Sequence, residues 1–188
     1  DPVRSARQLT RRYGSRIGCK DVSLDLWPGE VLGIVGESGS GKSTLLNMLS
    51  GRLEPSPGHV HYTAADGSVL DIHSLDEAHR RRLLRTELGF VHQHPRDGLR
   101  MSVSAGANIG ERLMANGARL LDLLRHLVRD MGLAVVLVTH DLAVARLLSH
   151  RLIVMYHGEV AETGLTDQVL DDPQHPYSQL LVSSILQC

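Results

Sequence analysis

Residues 36–44 read GESGSGKST and follow an apolar run, EVLGIV, at 30–35. The glycines and serines carry little side-chain bulk, so backbone N–H groups can converge on one anion. The next residues, KSTLLNMLS at 42–50, are typical of a helix whose first N–H groups and positive dipole end face that anion. In this strand–loop–helix setting, the spacing Gly-x4-Gly-Lys-Ser predicts a loop that binds nucleotide phosphates.

Residues 36–44, called the phosphate loop below, have individual predicted contacts. Lys42 places a positive charge at the β- and γ-phosphates of ATP, and the Ser43 hydroxyl is placed to ligate Mg²⁺. The other residues predicted to contact the nucleotide are Gly36, Ser38, Gly39, Ser40, Gly41 and Thr44. An ordinary turn of glycine and serine is the alternative, and the complete motif favours nucleotide binding. The motif alone leaves kinases, GTPases, motor ATPases and transport ATPases open.

Apolar runs alternate with amphipathic segments along the chain, which indicates an α/β protein with a parallel sheet. Runs typical of strands buried on both faces stand at 30–35 and 133–141, and a further strand is predicted at 151–156. Helical spacing stands at 42–50, 74–87, 120–131, 142–150 and within 171–187. The helix over 74–87 is predicted to begin in a capping box of Ser74 and Glu77. Alternation at 22–26 and a hairpin around 66–67 predict a smaller antiparallel sheet.

Two polar side chains are predicted at the carboxyl ends of strands, where ligands of α/β sheets bind. VTHD at 138–141 puts His140 there, and VHQHP at 91–95 puts Gln93 in the same kind of position. Together with the phosphate loop, these segments resemble the ABC-type ATPases. The resemblance covers nearly the whole chain and implies a P-loop NTPase core with a parallel sheet plus an antiparallel β subdomain, as one nucleotide-binding domain over 1–188.

The resemblance also implies roles for these side chains. Gln93 would touch Mg²⁺ and the attacking water, His140 would contact the γ-phosphate, and Tyr13 would stack on adenine. The predicted catalytic residues are therefore Lys42, Gln93 and His140, and the predicted metal contacts are Ser43 and Gln93. Taken singly, a tyrosine, glutamine or histidine is more often structural. The 11 histidines show no spacing typical of a metal site.

The C-terminal segment indicates which subgroup of the ABC-type ATPases the chain resembles. DDPQHPYSQLL at 171–181 resembles a motif of the dipeptide/oligopeptide transporter subgroup. Segments at 27–44, 91–115 and 169–187 resemble the K subunits of bacterial carbon–phosphorus lyase systems. This resemblance implies docking on a soluble phosphonate-degrading enzyme core, with membrane permease subunits as the alternative partner. It also implies pairing with a second copy or a related ABC subunit.

Two motifs expected of this family are missing between Gln93 and His140. The 46 residues between them contain neither an LSGGQ-like signature nor a Walker B strand ending in Asp-Glu. The flanking segments meet near 117–120, so several dozen residues of the helical signature subdomain are absent. Either the polypeptide carries residues that the sequence as given omits, which we favour, or they are deleted in the gene. The residues present therefore predict a site that binds nucleotide but lacks some of the groups needed to hydrolyse it.

The composition argues against several other classes of protein. A net charge of −1 and 3% aromatic residues argue against a nucleic-acid partner, and the basic run at 80–85 favours a solvated helix face. No apolar run approaches the roughly 20 residues that span a bilayer. Cys19 and Cys188 form no Cys-x-x-Cys pair, which is typical of reduced thiols. We therefore expect a cytoplasmic protein: an ATPase of a lyase system, an ATPase of a transporter, or a nucleotide-binding module without turnover.

Overall fold

Two β-sheets organise the chain in the computed structural model. The model describes residues 4–37, 39–64, 66–86, 88–93, 100–104, 112–114, 122, 124–130 and 132–184, with the backbone alone for 83–86, 88–93, 100–104, 112–114 and 127. The strands are β1 (Arg4–Tyr13), β2 (Arg16–Leu26), β3 (Val31–Val35), β4 (His59–Thr63), β5 (Val69–Asp71), β6 (Leu88–Gln93), β7 (Arg100–Ser104), β8 (Arg112–Met114), β9 (Ala134–Val138), β10 (Arg151–Tyr156) and β11 (Glu159–Leu165).

Helices connect these strands. They are α1 (Lys42–Leu49), α2 (Glu77–Thr86), α3 (Leu142–Leu148), α4 (Thr166–Asp171) and α5 (Pro176–Ser183), with a 3₁₀ turn at Ile72–Ser74 and a π-helical turn at His126–Asp130. Within the described ranges, no helix combines the length and the apolar character needed to cross a membrane.

The larger sheet has the order β11-β10-β3-β9-β6-β7-β8. Its centre is parallel, since β3 pairs in parallel with β10 and β9, and β9 pairs in parallel with β6. Every residue of β3 and β9 is buried, as their continuous apolar runs predict. Strand β11 at one edge, and β7 and β8 at the other end of the sheet, run antiparallel to their neighbours. The predicted parallel core is confirmed, and the antiparallel strands β7 and β8 were not predicted.

The smaller sheet is antiparallel, in the order β2-β1-β4-β5. This confirms the predicted antiparallel subdomain and the hairpin around Asp66 and Gly67. The sequence did not predict β1. Tyr13 is the last residue of that strand. The alternating apolar residues of 4–13 are too irregular to predict a strand, because register shifts in the pairing with β2 interrupt the alternation.

Helix α1 joins the two sheets. Its inner face carries Leu45, Met48 and Leu49, all fully buried. They belong to one apolar cluster with Leu9 of the smaller sheet and Ile34 of the larger one. The beginning of α1, which follows the phosphate loop, is thereby fixed against the carboxyl ends of the parallel strands.

Two local predictions need correction. The capping box at Ser74 is wrong, because its hydroxyl donates to the Asp71 carbonyl oxygen (2.7 Å) inside the 3₁₀ turn. Helix α2 instead begins after Asp76, whose carboxylate accepts the His79 N–H at 2.8 Å. Over 120–131, the predicted regular helix ends in the wider π-helical turn, with Leu124 buried and Arg125 exposed.

Candidate functional site

A cavity of about 620 Å³ opens where the carboxyl ends of β3 and β9 meet the beginning of α1. Eight residues predicted to bind or act on a nucleotide line it, namely Tyr13, Gly36, Gly39, Gly41, Lys42, Ser43, Thr44 and His140. Its volume falls within the range usual for small-molecule sites. Side chains separated by more than 120 residues in sequence thus face one space.

The glycines of the phosphate loop are required by close backbone contacts. Gly41 has φ of 104°, and a Cβ there would lie 2.4 Å from the Gly18 carbonyl oxygen. Gly36 has φ of 152°, and a Cβ there would lie 2.5 Å from the Met155 carbonyl oxygen. Both positions combine a backbone conformation that favours glycine with a lack of space for a side chain.

The first turn of α1 offers unpaired N–H groups to the cavity. Gly41 occupies the N-cap position, and no side chain caps the helix. The first intrahelical bond runs from the Leu45 N–H to the Gly41 carbonyl oxygen at 3.0 Å. The N–H groups of Lys42, Ser43 and Thr44 therefore have no partner within the helix. Such a helix beginning, with its positive dipole end, is suited to bind an anion.

The Lys42 ammonium reaches back over the loop. It donates to the carbonyl oxygens of Gly36 and Glu37, the latter at 2.8 Å. Burial lowers the pKa of Lys42, while the Glu37 carboxylate acts in the opposite direction. An anion bound beside Lys42 would favour the charged form of this partly desolvated ammonium.

Of the three serines in the loop, Ser40 has its backbone bound within the protein. Ser40 is buried, its N–H donates to the Glu37 carbonyl oxygen (3.1 Å), and its own carbonyl accepts the Gly158 N–H (2.9 Å). Its backbone is therefore engaged within the protein and it does not line the cavity. Its predicted contact with the nucleotide stays a prediction. Ser38 lies outside the described residues.

Tyr13 stands at the mouth of the cavity with 46% of its surface exposed. Its ring packs over Gly18, where a Cβ would come within 2.7 Å of the ring atom Cε2. The Arg11 guanidinium lies 5.8 Å from the ring centroid. A planar, half-exposed ring at this position is able to stack on a flat ligand group.

His140 occupies a short turn between β9 and α3 and is exposed to the cavity. The turn is fixed by the Asp141 N–H, which donates to the Thr139 hydroxyl oxygen at 3.0 Å. Gln93 ends β6 on the neighbouring strand, where His92 pairs with Val138. The backbone of Gln93 therefore reaches the same sheet edge as His140, and its side chain lies outside the described part.

Sequence reasoning missed several residues of the cavity wall. Arg16, Ile17 and Gly18 line it from the beginning of β2, and Leu181 and Ser184 line it from α5 and the residue that follows. The Tyr177 hydroxyl also accepts the Glu37 N–H at 3.0 Å. The motif at 171–181 was visible in the sequence, but nothing local in it indicates a contact with a loop 140 residues away.

No group of three or more His, Cys, Asp or Glu side chains comes together as a metal site within the ranges described above. The Ser43 side chain is exposed at the beginning of α1 and faces the cavity. Ser43 is therefore placed where it could contact a metal ion in the cavity, and the predicted metal contact of Gln93 remains a prediction.

The model of the ABC transporter family matches residues 19–154, which span most of the chain and include the phosphate loop, Gln93 and His140. The chain belongs to the ABC transporter family. This ABC protein has the fold of the family's ATP-binding cassettes. The cassette MJ0796, solved as a dimer in a post-hydrolysis state with ADP and Pi, superposes with a TM-score of 0.64 at 21% identity, over 87% of this chain and 98% of that one. The cassette cbiO1 from Clostridium perfringens superposes with a TM-score of 0.67 at 18% identity, over 92% of both chains.

Two relatives are similar in sequence to this ABC protein. PhnK of Escherichia coli (strain K12), named as a phosphonates utilization ATP-binding protein, is 48% identical over 253 aligned positions, covering 99% of this chain and 98% of PhnK. The glutathione import ATP-binding protein GsiA of Escherichia coli (strain K12) is 27% identical over 98% of this chain, which matches 41% of GsiA.

Proposed function

We propose that this ABC protein binds ATP with Mg²⁺ in the cavity at the beginning of α1, as the ATP-binding subunit of a phosphonate carbon–phosphorus lyase system. One observation carries the ATP proposal. The unpaired N–H groups of the first turn of α1 and the partly buried Lys42 ammonium converge on one side of the cavity. A polyanion is the ligand that this arrangement favours.

The residues have separate tasks in this proposal. The phosphate loop and Lys42 hold the β- and γ-phosphates, and the exposed Ser43 hydroxyl contacts Mg²⁺ together with Gln93. Tyr13 stacks on adenine at the mouth of the cavity, and His140 contacts the terminal phosphate from the end of β9. Bound nucleotide and metal supply the phosphoanhydride bond and the charge that offsets its negative oxygens. Lys42 adds a fixed positive charge at the site where negative charge concentrates.

The phosphonate assignment is supported by the relative PhnK, because the similarity extends over almost the whole of both chains. The proposed partners are a second copy of the chain or a related ABC subunit, and a carbon–phosphorus lyase core. Pairing is supported by the dimeric cassettes among the solved structures. Similarity to GsiA supports the alternative of a membrane permease, at lower identity and over less of the relative. Mixing the purified chain with a purified lyase core and Mg·ATP would test the first partner by co-elution in gel filtration.

We further propose that the chain forms one nucleotide-binding domain from which the signature and Walker B segments are missing near 117–120. The alignment with PhnK extends over 253 positions, whereas this chain has 188 residues, so PhnK carries dozens of positions without a counterpart here. In that case the chain binds ATP but hydrolyses it slowly, because the carboxylates that position water and metal are absent. An intact mass well above 20.6 kDa would mean that the polypeptide carries these residues.

Isothermal titration of the purified protein with Mg·ATP tests the ATP proposal. Wild type should bind with a stoichiometry near one, and Lys42→Ala should weaken the affinity by at least about tenfold, as loss of a charged contact predicts. Lys20→Ala is the matched control, since Lys20 is the only other lysine in the chain and is exposed on β2. Absence of binding in the wild type, or equal affinity of the wild type and Lys42→Ala, would contradict the proposal.

A further inference from the structure

The C-terminal motif at 171–181 contacts the phosphate loop directly. The hydroxyl oxygen of Tyr177 on α5 accepts a hydrogen bond from the Glu37 N–H at 3.0 Å. Tyr177 is 7% exposed and packs in an apolar cluster with Val35 and Leu152 of the parallel strands. A buried side chain from the end of the chain thus ends on the backbone of the loop that faces the cavity.

The N–H bound by Tyr177 belongs to the peptide group whose carbonyl holds Lys42. This peptide joins Gly36 to Glu37. At one end the Gly36 carbonyl oxygen accepts from the Lys42 ammonium, and at the other the Glu37 N–H donates to Tyr177. Hydrogen bonds in such a chain polarise and strengthen one another. The peptide is therefore fixed at both ends.

External fixing matters here because Gly36 itself does not restrict the peptide. Glycine has no Cβ, so rotation about its Cα–C bond, which turns the 36–37 peptide, is less restricted than at other residues. An ammonium has three donors. Two of them are directed at the carbonyl oxygens of Gly36 and Glu37, which leaves one for an anion in the cavity. Rotation of the 36–37 peptide would remove one of the two acceptors that orient this third donor.

Tyr177 is itself held by the motif around it. The His175 ring nitrogen Nδ1 accepts the Tyr177 N–H at 3.0 Å and caps α5, whose first residue is Pro176. The Glu162 carboxylate on β11 accepts the N–H groups of Gln174 (2.9 Å) and His175 (2.7 Å). The Tyr177 ring also lies 4.4 Å, between centroids, from the Tyr156 ring. His175 thus caps α5, Pro176 is its first residue, and Tyr177 contacts the phosphate loop.

We propose that Tyr177 is a positioning residue for nucleotide binding, whose hydroxyl fixes the Gly36–Glu37 peptide and through it the direction of the Lys42 ammonium. The proposal rests on the proposed function, because it assumes that the phosphates bind beside Lys42. It assigns the C-terminal motif a task at the nucleotide site in addition to its packing.

The test compares wild type, Tyr177→Phe and Tyr156→Phe by isothermal titration with Mg·ATP and by thermal unfolding without ligand. Tyr177→Phe keeps the buried ring and removes only the hydroxyl. We expect its dissociation constant to rise about threefold to tenfold, the range of one lost hydrogen bond, with unchanged stoichiometry. The unfolding temperature should fall by no more than a few degrees, because the same bond is present without ligand. Tyr156→Phe removes a hydroxyl from the neighbouring, exposed ring and should bind as wild type does.

Other outcomes overturn the proposal. A merely structural role would lower the unfolding temperature or the binding-competent fraction of Tyr177→Phe and leave its dissociation constant unchanged. Equal affinity of Tyr177→Phe and wild type, with weaker binding by Lys42→Ala, would contradict the positioning role and leave the proposed function standing. No binding by the wild type would end both.

Discussion

The thiol of Cys19 donates a hydrogen bond to the carbonyl oxygen of Gly41, with 3.3 Å between sulfur and oxygen. Cys19 is fully buried on β2, directly behind the point where the phosphate loop becomes α1. Burial raises the pKa of this thiol to about 12. The smaller sheet therefore supports the phosphate loop from behind with an inert, neutral side chain.

The first prediction is that Cys19 resists alkylation in the native protein. At pH 8, a thiol of this pKa is ionised in about one molecule in ten thousand, and the thiolate is the reactive form. In a Cys188→Ser background, N-ethylmaleimide should leave the folded chain unlabelled for hours and label it once in guanidinium, as followed by mass spectrometry. Rapid labelling of the folded protein would show that Cys19 is not buried behind Gly41.

Gly41→Ala should both destabilise the protein and abolish binding of Mg·ATP. Its Cβ would lie 2.4 Å from the Gly18 carbonyl oxygen, and its backbone has φ of 104°. Gly67→Ala is the matched control, because Gly67 also has positive φ, of 86°, but a Cβ there meets nothing within 4 Å. The control should lose about 1 kcal/mol from backbone strain, and Gly41→Ala should lose clearly more in urea unfolding.

If both glycine variants lose the same stability, the close approach of Gly41 to Gly18 does not matter to folding. Retained ATP affinity in Gly41→Ala would likewise contradict the requirement for glycine at the beginning of α1.

Tyr13→Ala should weaken ATP binding by about tenfold or more, whereas Tyr13→Phe should retain most of the affinity. The reason is that a half-exposed ring offers a face for the base, and stacking of a base on an aromatic ring contributes about 1–3 kcal/mol. Titration with Mg·ATP measures both variants. Equal affinities of wild type and Tyr13→Ala would remove Tyr13 from the nucleotide site.

The phosphate loop could be predicted from local sequence. The glycines, Lys42 and the first residues of the helix lie within nine residues, so the motif can be identified from local spacing. Strands β3 and β9 were equally predictable, because burial on both faces demands continuous apolar residues. The approach of His140 to this loop follows from the parallel pairing of those two strands.

The contacts that were missed depend on tertiary structure. The bond between Tyr177 and Glu37 joins residues 140 positions apart, and a lone tyrosine carries no local signal for such a partner. The start of α2 was misplaced because Ser74 and Asp76 are both good capping residues. The 3₁₀ turn that engages the Ser74 hydroxyl decides between them, and this turn is not visible in the sequence.

The last prediction concerns Asp141, which fixes the turn that carries His140. Its carboxylate accepts the N–H groups of Ala143 (2.9 Å) and Val144 (3.4 Å) at the beginning of α3, while its N–H donates to Thr139. Asp141→Ala removes this cap and should lower the free energy of unfolding by about 1 kcal/mol. Asp141→Asn keeps a capping oxygen and should lose much less, although both variants remove the same charge.

Urea unfolding of the two Asp141 variants distinguishes the contribution of the capping hydrogen bonds to stability from that of the negative charge. Equal losses would mean that charge, and not the hydrogen bonds to α3, stabilises the turn. Titration with Mg·ATP then tests the link to function, since a loosened turn should displace His140 from the cavity. Asp141→Ala is therefore expected to bind ATP more weakly than Asp141→Asn, and the reverse order would mean that the position of His140 does not depend on this cap.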